Sequence, residues 1–182
     1  MPEGKVASGP EQAGARFTAA DALTLVRIPL ACCFIIFSRV EIRVVVLLIA
    51  AVTDLLDGAV ARRYGGSRLG GFLDPVSDKL FMAAAFGVVA FSGQLAWYEI
   101  AAVLARDAVA SVAFVVTAVS GRPSAIPARL GGKAVTVCQM LTLLAFLADS
   151  PFLHQLAWAT GAIALYAIWD YSRAAAVARR PL

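Results

Sequence analysis

The chain has 182 residues, of which 60% are hydrophobic and only 15% charged, with a formal net charge of +4. That length argues for one domain, and soluble domains carry nearer a quarter charged residues, so an ordinary soluble fold is disfavoured. The mean hydropathy of +0.79 instead predicts an all-α polytopic membrane protein, because such a surplus of apolar side chains needs lipid to face.

Residues 1–14, rich in Gly, Pro and Ala, read as a flexible N-terminal tail. No basic region leads directly into a cleavable apolar run, so no signal peptide is expected. Glu11 to Ala20 is weakly amphipathic and would form a short interfacial helix. Six apolar runs then approach the roughly 20 residues that span a bilayer: 21–38, 42–63, 74–93, 97–120, 133–149 and 152–173. Two connections, 64–73 and 121–132, are longer than the rest and rich in Gly and Arg. The expected organisation is a tail over 1–14, a six-helix membrane domain over 15–175 and a C-terminal tail over 176–182.

Basic residues set the expected orientation. Lys5, Arg16, Arg62, Arg63, Arg68, Arg122, Arg129, Lys133, Arg173, Arg179 and Arg180 fall on one side of the six-span arrangement, and only Arg39 and Arg43 on the other. The positive-inside rule places both termini and the two longer connections in the cytosol. The positive balance is thus a topology signal, and no nucleic-acid partner is expected. Cys32, Cys33 and Cys138 lie in apolar runs without ligand spacing and read as small hydrophobes. Trp97, Tyr98, Trp158, Tyr166, Trp169 and Tyr171 lie near span ends or on the last span, as an interfacial belt would.

The chemistry concentrates between the second and third runs. Asp54, Asp57, Gly58, Ala61 and Arg62 stand at i, i+3, i+4, i+7 and i+8, so a helix puts all five on one face. Asp74 and Asp78 form an i, i+4 pair at the start of the third run. The short loop Y-G-G-S-R-L-G-G between them predicts that the second and third helices are antiparallel neighbours. Four carboxylates converging just inside the cytosolic interface would repel strongly unless a cation joined them. Mg²⁺ suits an all-oxygen ligand set beside phosphate, with Mn²⁺ as an alternative. Two ions fit displacement at phosphorus, where attacking and leaving oxygens both need stabilising. The small surface at Gly58 and Ala61 would admit a ligand close to the backbone, and Arg62 is suited to phosphate charge.

The pattern D-x-x-D-G-x-x-A-R, seven further residues, then G-x-x-x-D-x-x-x-D, carried by Asp54, Asp57, Gly58, Ala61, Arg62, Gly70, Asp74 and Asp78, resembles the signature of the CDP-alcohol phosphatidyltransferase family. The resemblance covers residues 15–175. It implies an enzyme that moves a phosphatidyl group from CDP-diacylglycerol to an alcohol and releases CMP, in a homodimer embedded in the cytoplasmic membrane. Asp54, Asp57, Asp74 and Asp78 would bind two divalent ions. Asp57, Gly58, Ala61, Arg62 and Gly70 would line the CDP site, and Asp78 would double as general base on the acceptor hydroxyl.

Further polar residues interrupt the spans. Arg106 and Asp107 stand mid-run, where an unpaired arginine is costly. With Arg129 and Lys133, Arg106 would form an anion pocket for the acceptor; the alternative is an Arg106–Asp107 pair that only fixes packing. Thr24 and Arg27 resemble the family's T-x-x-R in the first span, with snorkelling of Arg27 to the interface as the alternative. Lys79 would snorkel or pair with a nearby carboxylate. Gln139 and Thr136 are suited to hydrogen bonds between helices, and His154 reads as a surface residue beyond the far ends of the spans. Asp170 and Tyr171 carry no assigned role.

The context G-F-L-D-P-V-S-D-K-L resembles the family branch that uses glycerol 3-phosphate, placed first here, and equally the branch that makes cardiolipin with phosphatidylglycerol as acceptor. A cation- or proton-coupled transporter is the competing class, since intramembrane acids also mark ion pathways. Transporters tend to hold such sites at the midplane between inverted repeats, whereas these acids cluster toward one face and no repeat is visible.

Overall fold

A computed structural model describes residues 19–64, 70–119 and 130–178. The described chain is all-α: α1 (Ala19–Ile36), α2 (Val40–Tyr64), α3 (Gly70–Ser92), α4 (Trp97–Val119), α5 (Leu130–Leu147) and α6 (Leu153–Ala178). Each helix coincides with one of the expected segments, and the differences are at the ends. Helix α3 begins at Gly70, inside the connection expected over 64–73, which costs little because the first turn tolerates glycine. Helix α6 runs on to Ala178 through an alanine-rich stretch of high helix propensity. The interfacial helix expected over 11–20 falls almost wholly outside the described residues.

Every helix contributes one buried stripe, and the stripes explain the packing. On α1, Thr24, Arg27, Ala31 and Phe34 are buried, and on α2, Val46, Leu47, Ala50 and Thr53. On α3 the stripe is Ser77, Phe81, Met82, Ala85, Phe86 and Val89, and on α6 it is Leu153, Ala157, Thr160, Ala164 and Ala167. These positions recur at three- and four-residue intervals, the helical period. The stripes of α2 and α3 lead directly into Asp54 and Asp78, so the hydrophobic core fixes where those carboxylates stand.

Helix α1 packs along both α2 and α3, which have little direct contact with each other among the described residues. The direct α2–α3 pairing expected from the short connection is not seen among the described residues, where α1 packs against both helices; the side chains nearest the connection lie outside them. Phe34 meets Phe81 edge-on at 6.0 Å in the α1–α3 seam. Helix α6 packs on α4 and on α5. Gly161 lets α4 and α6 approach closely, since a Cβ there would stand 2.9 Å from the Ala102 Cβ. The Thr142 and Thr160 hydroxyls share a hydrogen bond of 3.0 Å between α5 and α6.

At the end of the bundle where α4 begins, Glu99 accepts a hydrogen bond from the Ala96 N–H at 2.9 Å, half of a capping box. The same carboxylate meets His154 Nδ1 of α6 at 2.9 Å. His154 is largely exposed, as expected, yet it also clamps a buried glutamate. Among the described residues, no helix is long and apolar enough to cross a membrane. Charged residues interrupt the apolar runs, as Glu99, Arg106 and Asp107 do on α4.

Candidate active site

Helix α2 continues unbroken through Asp54, Asp57, Gly58, Ala61 and Arg62, so the spacing expected to share one face does so by helical register. Helix α3 likewise carries Gly70 in its first turn and then Asp74 and Asp78. The side-chain surroundings of Asp57, Gly58, Ala61, Arg62, Gly70 and Asp74 lie outside the described residues. Asp54 and Asp78 are described, and they meet.

They meet on Arg27. Its Nη2 donates to Asp54 Oδ1 at 3.0 Å, and its Nη1 donates to Asp78 Oδ1. The Arg27 side chain is only 2% exposed, so it does not snorkel to an interface. It belongs to a helix packed against both α2 and α3, and one guanidinium serves a carboxylate from each. A planar fork with several N–H donors can do this where an ammonium would hold one geometry less firmly. The T-x-x-R spacing was the sequence signal for it, because Thr24 and Arg27 lie on the same buried face of α1.

This point in the fold therefore concentrates carboxylates from two helices against positive charge. The two described carboxylates are hard oxygen donors, of the kind that suits Mg²⁺ or another hard divalent ion. Among the described residues there is no group of three or more potential metal ligands; the third and fourth expected carboxylates, Asp57 and Asp74, are those whose side chains lie outside them.

A second polar group sits where α4, α5 and α6 converge. Arg106 Nη1 donates to Asp107 Oδ1 at 2.8 Å. Gln139 Nε2 of α5 donates to Asp107 Oδ2 at 2.6 Å and to the Val103 carbonyl at 3.1 Å. Gln139 is among the most deeply buried large side chains, so its interhelical role is real, and it falls on Asp107, the partner of Arg106. Against Arg106 on its other side lie Gly132 and the Tyr171 hydroxyl.

The expected trio of Arg106, Arg129 and Lys133 is thus only partly visible. Arg129 lies outside the described residues, and Lys133 is exposed on α5. The α5 residues that meet the Arg106–Asp107 pair are instead Gly132 and Gln139, which carry no charge to advertise them. Lys79 stands over the Phe114 ring at 5.9 Å, within the electrostatic reach of Asp107, Arg106 and Asp78. Lys79 thus lies within electrostatic range of both the Arg106–Asp107 pair and Asp78.

Comparison with known proteins gives a consistent result. The model of the family described as CDP-alcohol phosphatidyltransferase matches residues 17–169. A CDP-diacylglycerol–glycerol-3-phosphate 3-phosphatidyltransferase from Sodalis glossinidius is 36% identical over 119 residues, 64% of this chain and 60% of the relative. Proteins of the same name from Pectobacterium atrosepticum and Escherichia coli K12 are 39% and 38% identical, over 54% and 52% of this chain and 56% and 54% of their own lengths. The chain spans little more than half the length of the curated relatives it matches.

Proposed function

The chain belongs to the CDP-alcohol phosphatidyltransferase family, and from that premise we propose that it transfers a phosphatidyl group from CDP-diacylglycerol to glycerol 3-phosphate, releasing CMP and forming phosphatidylglycerol phosphate. The observation that carries the reading is the meeting of Asp54 and Asp78 on Arg27, which brings the first and last aspartates of the signature to one place. The acceptor is taken from the names of the relatives, each of which is a CDP-diacylglycerol–glycerol-3-phosphate 3-phosphatidyltransferase.

In this mechanism Asp54, Asp57, Asp74 and Asp78 would hold divalent ions, Mg²⁺ by preference and two by the number of carboxylates. Bound there, such ions would neutralise the diphosphate and stabilise charge on the attacking and leaving oxygens. Asp57, Gly58, Ala61, Arg62 and Gly70 accommodate the cytidine nucleotide. The Asp78 side chain is 48% exposed, so an acceptor hydroxyl can approach it. Asp78 takes the hydroxyl proton, the freed oxygen bonds to the phosphorus bearing diacylglycerol, and the phosphorus–oxygen bond to CMP breaks with its electron pair leaving on CMP. Arg106 binds the acceptor phosphate, with Arg129 and Lys133 adding positive charge nearby.

The protein acts within the cytoplasmic membrane, with the site toward the cytosol. What supports this is the outward face of the bundle, where Ile36, Leu55, Phe91 and Trp97 stand largely exposed among many other large apolar side chains, far beyond the patches of a soluble monomer. Trp97, Tyr98 and Trp158 form a chain of ring contacts at one end, and Arg173 lies over Trp169 at 4.5 Å toward the other. Paired aromatic groups of this kind suit the two interfaces of a bilayer.

The test is an acceptor panel of glycerol 3-phosphate, phosphatidylglycerol, inositol phosphate and serine, with purified protein, Mg²⁺ and CDP-diacylglycerol, and lipid products identified by mass. The reading predicts phosphatidylglycerol phosphate from glycerol 3-phosphate. Cardiolipin from phosphatidylglycerol would replace it.

A further inference from the structure

We infer that Tyr171 and Gly132 are positioning residues for the acceptor phosphate, acting through the pose they impose on the Arg106 guanidinium. The inference rests on the acceptor reading above and names residues outside the aspartate signature.

The geometry holds the guanidinium from two sides. On one, Asp107 Oδ1 takes Nη1 at 2.8 Å, and the carboxylate is itself fixed by Gln139 Nε2 at 2.6 Å on its other oxygen. On the other side, Gly132 leaves its side-chain space to two polar groups. A Cβ at that position would lie 2.5 Å from Arg106 Nη2 and 2.7 Å from the Tyr171 hydroxyl oxygen. Any larger residue at 132 would evict one or both. The absence of a side chain on α5 is thus what lets α4 and α6 bring a guanidinium and a phenol together.

The arrangement commits one edge of the arginine and spares another. Nη1 is taken by Asp107, while Nε is buried and has no hydrogen-bond partner among the described residues. A buried donor left unmatched is costly, and Nε with Nη2 is the edge that binds the two oxygens of a phosphate side by side. The Tyr171 oxygen accepts a hydrogen bond from the guanidinium, which fixes the pose in which that edge is presented. A pair that served packing alone would need neither the glycine nor the phenol. The shared ligand chemistry is a phosphate oxygen pair, whether of a phosphomonoester or of free phosphate.

The experiment uses the full-length enzyme with CDP-diacylglycerol and glycerol 3-phosphate, comparing wild type, Tyr171→Phe and Gly132→Ala. Tyr171→Phe should raise the KM for glycerol 3-phosphate about tenfold, the effect of one hydrogen bond at a charged group, and leave the KM for the CDP-lipid at its wild-type value. Inhibition by inorganic phosphate should weaken in parallel. Gly132→Ala should shift the acceptor KM the same way, and if that variant does not fold, Tyr171→Phe decides alone. An unchanged acceptor KM in Tyr171→Phe, or equal rises in both KM values, overturns the inference while the acceptor reading stands. A wild type that releases no CMP with glycerol 3-phosphate overturns the acceptor reading and this inference with it.

Discussion

Arg27 Nη2 lies 3.0 Å from Asp54 Oδ1 in a site where the arginine is buried and the carboxylate is partly open. Because the same guanidinium also holds Asp78, α1 ties α2 to α3 through one side chain. Removing the charge in Arg27→Met would leave two carboxylates facing each other. The carboxylates are more than a third exposed, which discounts the buried-pair cost to about 2 kcal/mol. A thermal melt of the metal-free protein should show the loss, and excess Mg²⁺ should recover more stability in the variant than in wild type. Equal melting temperatures with and without Arg27 would show that the bridge carries no weight.

The proton-accepting role assigned to Asp78 separates binding from turnover. Asp78→Asn keeps the shape and removes the base, so CMP release should fall about 10²- to 10⁴-fold. Binding of a CDP nucleotide, measured by calorimetry, should persist. Wild-type turnover in the variant would move the base elsewhere.

Glu99 tests the opposite end of the bundle. Its carboxylate caps Ala96 and holds His154, so Glu99→Ala should cost about 1–3 kcal/mol in a melt. Turnover at a temperature where the variant stays folded should be retained, because the pair is remote from the aspartates. His154→Ala should cost less, since the imidazole is 61% exposed. A turnover defect in folded Glu99→Ala would tie this end to the chemistry.

The α4–α6 seam should tolerate little added volume. Gly161→Val places a branched side chain where even a Cβ would meet the Ala102 Cβ at 2.9 Å, and overpacking of this kind costs about 1–3 kcal/mol. Reduced thermal stability is the expected result, with Gly161→Ala intermediate. An unshifted melt would mean that the two helices can separate freely at that point.

How much of this was legible in the sequence depends on the kind of signal. Helix positions followed from the apolar runs, and the aspartate pairs from their helical spacing, because both are local regularities. The role of Arg27 was only half legible: the motif singled it out, but snorkelling and bridging make the same demands on a sequence. What decided it was tertiary, namely that α1 packs against both α2 and α3. Gly132, Gln139 and Tyr171 were harder still. A glycine that makes room, a neutral amide and a phenol on the last helix carry no charge pattern, and they come together only when three separate helices are packed. Lys133, next to Gly132 and positively charged, drew the expectation instead.

The most direct test of the central claim is CMP release by the purified full-length protein with Mg²⁺ and CDP-diacylglycerol, measured with and without glycerol 3-phosphate. CMP should appear only when glycerol 3-phosphate is present, in equal amount to phosphatidylglycerol phosphate. CMP release that is independent of the acceptor, or no release with it, would contradict phosphatidyl transfer to glycerol 3-phosphate.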